Sequence, residues 1–486
     1  MIVILLLILF SFSFAQDTLI RWEEEVNLTQ DTVYNLYPWI ECQDNYVHIV
    51  WAELDNGVYY QRSTDSGTTW SEPFRLHTDT TVIIHPKLAL GGEKVYCIWD
   101  AGYAGRWQLW FTRSTDSGAT WDSIVVLDDS VYCKATIAAS GDTVFIVEHM
   151  PDTIFQLRRS FDGGVNWSSP YLINKMMPLY YPGLFYLDNI LHLAFVNYDA
   201  GQAVYYMYST DLGEIWSDSI QIAINPDAPK CRNIVANDYG YLFVPWSDNK
   251  YSGGALDDIL LRRSPDTGLT WLPEQQITNH HLARSWDDIC CADSDVYLVW
   301  AKGGSEDALQ FRASTDMGET WWQIENLCNN LLFDGTIASD SSKIHIAWRD
   351  RRDFPSEIYY RQGTRLPVGI EESALHSMPD ALRLRVYPNP FSKLTTINFG
   401  KELSAWRKEE KTISSKPLTF SVKIYDVSGK KVVVLGHQNI RESGYQGNQV
   451  VWNGRDKNEL QVPAGVYFVQ VKAGNECIIK KVVKLK

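Results

Sequence analysis

One octapeptide constrains this chain more than any other feature. It occurs six times, as STDSGTTW at 63–70, STDSGATW at 114–121, SFDGGVNW at 160–167, STDLGEIW at 209–216, SPDTGLTW at 264–271 and STDMGETW at 314–321. Successive copies start 46 to 55 residues apart. A tandem cassette of that length predicts units that bury their faces against their neighbours, as in a propeller or similar array. Alternating strand-like runs flank each copy, VYYQRS before the first and WSEPFRL after it, so the octapeptide is the turn of a hairpin. The residue types follow from that role. Asp65, Asp116, Asp162, Asp211, Asp266 and Asp316 accept backbone N–H groups across the turn. Gly takes a positive φ, Ser adds a local hydroxyl bond, and Trp is expected to pack beneath its own hairpin.

A second run recurs upstream, as VHIVW (47–51), VYCIW (95–99), VFIVE (144–148), LHLAF (191–195), YLFVPW (241–246), VYLVW (296–300) and IHIAW (344–348). That makes seven units. The seventh continues through EIYYRQG (357–363) and has no octapeptide. Its missing outer strand is available in IRWEEEVNLT (20–29), where Trp22 stands in the place of a turn Trp. The expected fold is all-β: a seven-bladed β-propeller closed by an N-terminal strand, with a six-bladed ring as the alternative. The octapeptides resemble the Asp box, or BNR repeat, of sialidase-like propellers, over about residues 17–365. That resemblance implies fold and not activity, because Asp boxes are structural. Sialidases have six blades, so seven departs from that family.

The chain divides further. Ile2–Phe14 is an apolar run too short to span a bilayer, and Ser13 and Ala15 precede a cut before Gln16, so residues 1–15 read as a signal peptide. No other run is apolar enough to span, which predicts a mature chain without a transmembrane segment. Residues 16–365 form the propeller, 366–385 a polar linker and 386–486 a small Ig-like β-sandwich built from VYPNPFSKLTTINF (386–399), FSVKIYDVSGKKVVVL (420–435), VVWNGRD (450–456), PAGVYFVQVKAGNE (463–476) and KKVVKLK (480–486). Tyr387-Pro388-Asn389-Pro390-Phe391, Tyr425-Asp426, Gly429-Lys430, Gly465-Val466-Tyr467 and the Lys-rich end resemble the type A C-terminal sorting domain of the type IX secretion system. The resemblance implies delivery by outer-membrane secretion machinery acting on residues 386–486, and a secreted or outer-surface location. The segment 404–417 is a charged insertion in that pattern and reads as a solvated loop.

Charge separates the two parts. The whole chain carries −15, residues 383–486 carry +11, and the remainder carries −26, which argues against a nucleic-acid partner. The eight Cys include no CxxC and no zinc spacing; they read as small buried hydrophobes. No cofactor and no metal site is expected.

A site should lie at the channel face opposite the octapeptides, among residues that break the repeat. Trp51, Trp99, Trp246, Trp300 and Trp348 recur and read as packing, and the acids beyond them, Glu53, Asp100, Asp248 and Asp350, read as loop caps or channel groups. The repeat-breakers are Glu148-His149, Lys230-Cys231-Arg232, the acidic loop 247–258, His280-His281, Arg284, Trp286-Asp287 and Arg349-Asp350-Arg351-Arg352-Asp353. His280-His281 reads as a loop pair, and loop 247–258 lacks EF-hand spacing for Ca²⁺. Trp39, Trp286, Asp287, Arg351 and Arg352 are candidate ligand contacts, since arginines, acids and aromatics together suit carboxylated or hydroxylated sugars; for Arg351 and Arg352 surface ion pairing is the plainer alternative.

For catalysis the candidates are Arg232, Arg284, Arg349, Asp350, Glu148 and Asp100. A sialidase needs an arginine triad, a Tyr–Glu nucleophile pair and an Asp acid. The region where the family places its first arginine reads LYPWIECQ (36–43), without one. The reading is therefore a non-enzymatic binding module for glycan or surface protein, with a sialidase-like exo-α-sialidase as the alternative.

Overall fold

A computed structural model gives the architecture. It describes residues 19–366 and 382–485 apart from 78–81, 104–105, 132–133, 151–154, 174–178, 198–202, 225–229, 232, 238, 252–256, 280, 304–306, 330, 341, 353–354, 388–390, 392, 402–417, 427–429, 441–447, 458–459 and 474–475. The expected signal peptide, most of the linker and the 404–417 insertion lie outside the described residues.

All described secondary structure is β, and antiparallel strands from 35 to 365 form seven sheets in chain order. The first sheet shows the plan: Asn35–Gln43 inside, then Tyr46–Glu53, Gly57–Ser63 and Phe74–His77 outward. The other inner strands are Val82–Gly91, Thr136–Ser140, Leu179–Leu187, Val235–Ala236, Ala283–Ala292 and Leu331–Ser339. Each inner strand contacts the next, and Leu331–Ser339 contacts Asn35–Gln43, so the line of sheets closes on itself. The core has the same logic, because apolar residues fall into clusters shared by two successive sheets. One unites the first and second sheets through Val50, Trp99 and Leu88, and another joins the seventh to the first through Tyr360, Ile40 and Trp51. The tryptophans Trp51, Trp99, Trp246, Trp300 and Trp348 are all fully buried there.

The seventh sheet recruits the N-terminal segment. Ile20–Trp22 pairs antiparallel with Gly363–Arg365, and Val26–Asn27 with Tyr359 and Tyr360. Thr29 hydroxyl bonds to the buried Glu357 carboxylate, which also takes the Asn35 amide at 3.3 Å. Trp22 sits edge-on to Phe311 of the sixth sheet at 5.0 Å.

Every repeated turn has one hydrogen-bond pattern. Asp116 Oδ1 accepts from Ser114 Oγ at 2.7 Å and from the Thr120 N–H at 2.8 Å, while Ser114 Oγ accepts from the Gly118 N–H at 2.9 Å. The Thr120 hydroxyl, which donates to Oδ2 at 2.7 Å, and then the Thr120 N–H and Ser114 hydroxyl hold the Asp116 carboxyl down at about 2. The turn Trp lies close beneath its own turn, Trp167 by Gly164 and Trp321 by Gly318, and it also reaches further. The turn Trp packs across to the preceding sheet: Trp70 on Tyr360, Trp121 on Tyr60, Trp167 on Phe111 and Trp271 on Tyr206, all edge-on at 4.8–5.0 Å. An edge-to-face ring pair needs a partner standing at right angles, which the neighbouring sheet supplies. An arginine before the Ser completes the staple. Arg62 donates to the Ser117 carbonyl at 2.7 Å, Arg113 to Gly163 at 2.5 Å, Arg159 to Leu212 at 3.0 Å and Arg263 to Met317 at 2.8 Å, each in the following sheet. Those acceptors all have positive φ.

Three second-strand histidines are buried against tyrosines. His48 meets the Tyr60 hydroxyl at 2.6 Å, His192 that of Tyr206 at 2.8 Å and His345 that of Tyr360 at 2.8 Å. Burial pushes them down to about 3, 3 and 4. Their folded values lie below the ordinary ~6.5 of an unfolded chain. Each therefore contributes stability that is whole above about pH 6.5 and shrinks as pH falls toward 3–4. NMR of the imidazole nitrogens should show these three unprotonated from pH 8 down to pH 5, where an exposed histidine titrates.

Six described cysteines are free thiols, with Cys97, Cys231 and Cys328 buried and Cys42, Cys290 and Cys291 half-buried. Cys133 and the Cys477 side chain lie outside the described residues. The C-terminal part forms two sheets, Leu382–Tyr387, Thr395–Lys401 and Asn448–Trp452 against Lys431–Ile440, Leu418–Asp426, Gly465–Ala473 and Glu476–Lys484. They share one core through Trp452, Ile424, Val469 and Phe391. The run expected over 420–435 is two strands, because Asp426 takes the Lys430 N–H at 3.0 Å and turns the chain back.

Candidate functional site

The inner strands slip register at one level of the ring. The breaks fall between Leu36 and Trp39, Ile84 and Lys87, Tyr180 and Gly183, Arg284 and Asp288, and Leu331 and Gly335. A bulge leaves extra residues unpaired and re-aims their side chains. Pro38, Pro86 and Pro182 occupy such bulges, where a missing N–H costs no ladder bond. Tyr37 (φ 54), His85 (φ 51) and Lys134 (φ 77) are non-glycine residues in the left-handed region. Each such backbone costs about 1–2 kcal/mol, and strain of this kind gathers at functional sites.

These residues line a depression of about 770 Å³ at the end of the ring, over a channel of about 1060 Å³ walled by all seven inner strands. Its two sides differ. The first three sheets contribute Tyr37, Trp39, His85, Lys87 and Lys134; the fifth to seventh contribute Asn233, Asp288, Asp334 and Thr336. The Tyr37 and His85 rings lie 4.7 Å apart. The Lys87 ammonium lies 5.0 Å from the centre of the Trp39 ring, whose Nε1 donates to Glu41 at 3.0 Å. Burial pushes the Glu41 carboxyl up to about 8; the Trp39 bond opposes the rise and the nearby Asp288 adds to it.

Asp288 is structural first. Its oxygens accept from Asn233 at 2.7 Å, the Ile289 N–H at 2.9 Å, Thr336 at 2.9 Å and the Ile337 N–H at 3.0 Å, so one carboxylate ties the fifth, sixth and seventh sheets. Its carboxyl is still raised, by burial, against those bonds.

The sequence candidates meet different fates. Trp39 stands in the mouth. Asp100 follows its Trp directly, whereas Glu53, Asp248 and Asp350 come two residues after theirs, so Asp100 points to the other sheet face. It accepts the Lys134 N–H at 2.6 Å, and burial raises it to about 7. Asp350 has the loop-cap role of its two readings, which corrects it as a catalytic candidate: fully buried, it accepts from Trp348 Nε1 at 3.0 Å and the Arg352 N–H at 2.8 Å. Glu148 is a second, since it replaces the second-strand Trp of the third sheet and pairs with Arg158 at 2.6 Å, beside Asp128 at 3.0 Å. Arg352 is ion-paired, as its plainer reading had it: it pairs with Glu25 and Asp350 and lies 4.2 Å over the Tyr359 ring. Arg351, half-exposed, pairs with Asp307 at 3.0 Å, the plainer alternative. Arg349 donates to Ser356 at 3.1 Å and lies 3.7 Å from Asp334, beneath the rim. Arg232, His280 and Asp353 lie outside the described residues, as do the side chains of Arg284, Trp286 and Asp287. His281 pairs with the buried Asp258 at 2.7 Å. Among the described residues no group of three His, Cys, Asp or Glu could hold a metal.

The comparisons bear first on the tail. Residues 385–485 match the secretion system C-terminal sorting domain. The chain is therefore exported by type IX secretion to the outer surface or extracellular space. No curated protein matches the sequence. Among solved structures, the ring resembles a polysaccharide lyase, an ulvan lyase bound to -[GlcA(1-4)Rha3S]-, with a TM-score of 0.51 and 12% identity over 69% of this chain and 95% of that one. The polysaccharide lyase Uly1 gives 0.50 and 12% over 71% and 100%. A Hadza microbial sialidase gives 0.41 and 15% over 67% and 74%. The two lyases establish the shared β-propeller fold.

Proposed function

We propose that this chain is a surface-delivered, seven-bladed propeller that binds a polysaccharide at the mouth of its central channel. In this reading residues 1–15 are the signal peptide, 16–365 the Asp-box propeller, 366–385 a linker and 386–486 the sorting domain. The observation that carries it is the bulged rim itself: Tyr37, Trp39 and His85 present aromatic rings at the one level where the ladders break. Aromatic faces suit the C–H faces of sugars, and nearby carboxylates and amides suit their hydroxyls. The lyase bound to -[GlcA(1-4)Rha3S]- supports a polysaccharide in place of a protein partner. Of the three arginines named for the exo-α-sialidase alternative, Arg349 already serves Asp334 and Ser356, which favours the binding reading.

Native affinity gels containing polygalacturonate, alginate, laminarin or dextran test the reading. The full-length secreted protein should be retarded on at least one, and Trp39→Ala should abolish that retardation with an unchanged melting temperature. Equal retardation of the variant on every gel removes the channel mouth as the site.

A further inference from the structure

The two halves of the mouth differ in charge, and the basic half has a design of its own. Lys87 follows the bulge of the second sheet, and Lys134 precedes the inner strand of the third. Both line the depression. Asp100 lies beneath them: it holds the Lys134 backbone through the 2.6 Å bond, and the charges of both lysines act on its carboxyl. That bond fixes the left-handed backbone at Lys134, φ 77, which places the residue at the rim. Lys87 is held from the other side by the Trp39 ring.

We propose that Lys87 and Lys134, positioned by Asp100 and Trp39, form an anion subsite that takes the carboxylate or sulfate of a charged sugar. The inference rests on the glycan-binding reading. Two ammonium groups from adjacent sheets provide several N–H donors to one anionic group, and charge-assisted bonds of this type are the strong ones. The sugar ring then lies against Trp39 and Tyr37, and its hydroxyls face Asn233 and Asp334 across the mouth. Asp100 is a positioning residue, and its charge competes with the ligand for the same two cations.

Affinity gels and titration calorimetry of the full-length protein with polygalacturonate, dextran sulfate and neutral dextran provide the test. At least one polyanion should bind, and neutral dextran should bind at least tenfold more weakly. Polygalacturonate alone assigns the anion to a carboxylate, and dextran sulfate alone assigns it to a sulfate ester; either supports the subsite. Lys134→Gln, which leaves the Trp39 ring contact in place, and Lys87→Gln should each raise Kd several-fold, and together at least tenfold. Asp100→Asn keeps an acceptor for the Lys134 N–H and removes the competing charge, so at pH 8.5, where Asp100 is ionised, its Kd should fall several-fold; a purely structural Asp100 predicts no gain. Polyanion binding that survives the double lysine substitution comes from elsewhere, the basic sorting domain included, and overturns the proposal. So does Trp39-dependent binding of neutral dextran at equal strength, which would leave the glycan reading standing. Retardation unaffected by Trp39→Ala defeats the underlying reading instead.

Discussion

Replacing Arg158 with methionine should destabilise the propeller by about 3–5 kcal/mol, the range for stripping one partner from a buried ion pair. Glu148 is fully buried, and Arg158 donates to it at 2.6 Å and to Asp128 at 3.0 Å. Burial already raises the Glu148 carboxyl, and the guanidinium opposes that rise. Without Arg158 the site holds two carboxylates and no cation. The variant should escape by taking up a proton, so its loss of stability should shrink as pH falls below neutrality. Glu148→Leu combined with Arg158→Met should recover most of the loss, because it removes the fully buried charge and leaves an apolar side chain where the other sheets bury Trp51, Trp99 and Trp348. Chemical denaturation of the two variants measures both effects. A double variant no more stable than Arg158→Met would refute the buried-charge account.

Gly118→Ala should cost about 2–5 kcal/mol, combining a left-handed alanine at ~1–2 kcal/mol with overpacking at ~1–3 kcal/mol. Gly118 has φ 78, and an added Cβ would overlap the Tyr60 hydroxyl of the preceding sheet. Tyr60→Phe in the same background should recover part of the loss, since it removes the atom that the methyl strikes. Gly92→Ala is the control. Its φ is 69 with open space around it, so it should show the backbone cost alone. Thermal melts separate the cases: a Gly118→Ala melt no lower than that of Gly92→Ala would mean that the turn does not press on its neighbour.

The repeat made the ring legible in the sequence. A spacing near fifty residues and seven VHIVW-like runs describe sheets in series, and Trp22 marked the closing strand because it fills the place of a turn Trp. The direction of the staples was hidden. A motif present in every unit does not say whether its Trp and Arg face their own sheet or the next. Of the residues lining the mouth, Trp39 was visible in the sequence, as was Asp100 beneath them. The rest follows from bulges, which come from backbone pairing and not from composition. One signal was available: LYPW, IHPK and YYPG, at 36–39, 84–87 and 180–183, put an aromatic–Pro pair at the same point of three inner strands. Among the acids, the parity of a strand decided the outcome. Asp100 faces the rim because it is one residue past its Trp, and Asp350 is tied to Trp348 because it is two past.

The clasp of the N-terminal segment on the seventh sheet has a bearing on how the molecule is made. Glu23 accepts from Arg361 across 338 residues of chain. The entropy of joining such distant ends grows only logarithmically with their separation. Timing is the harder constraint, since the first strand has no mate until nearly the whole ring has emerged. Until then the nascent polypeptide carries raw sheet edges, the feature most prone to wrong pairing. The export address begins at residue 385, some twenty residues after the mate strand ends at Arg365. Every chain that carries the complete address has therefore already made the strand that clasps its ring.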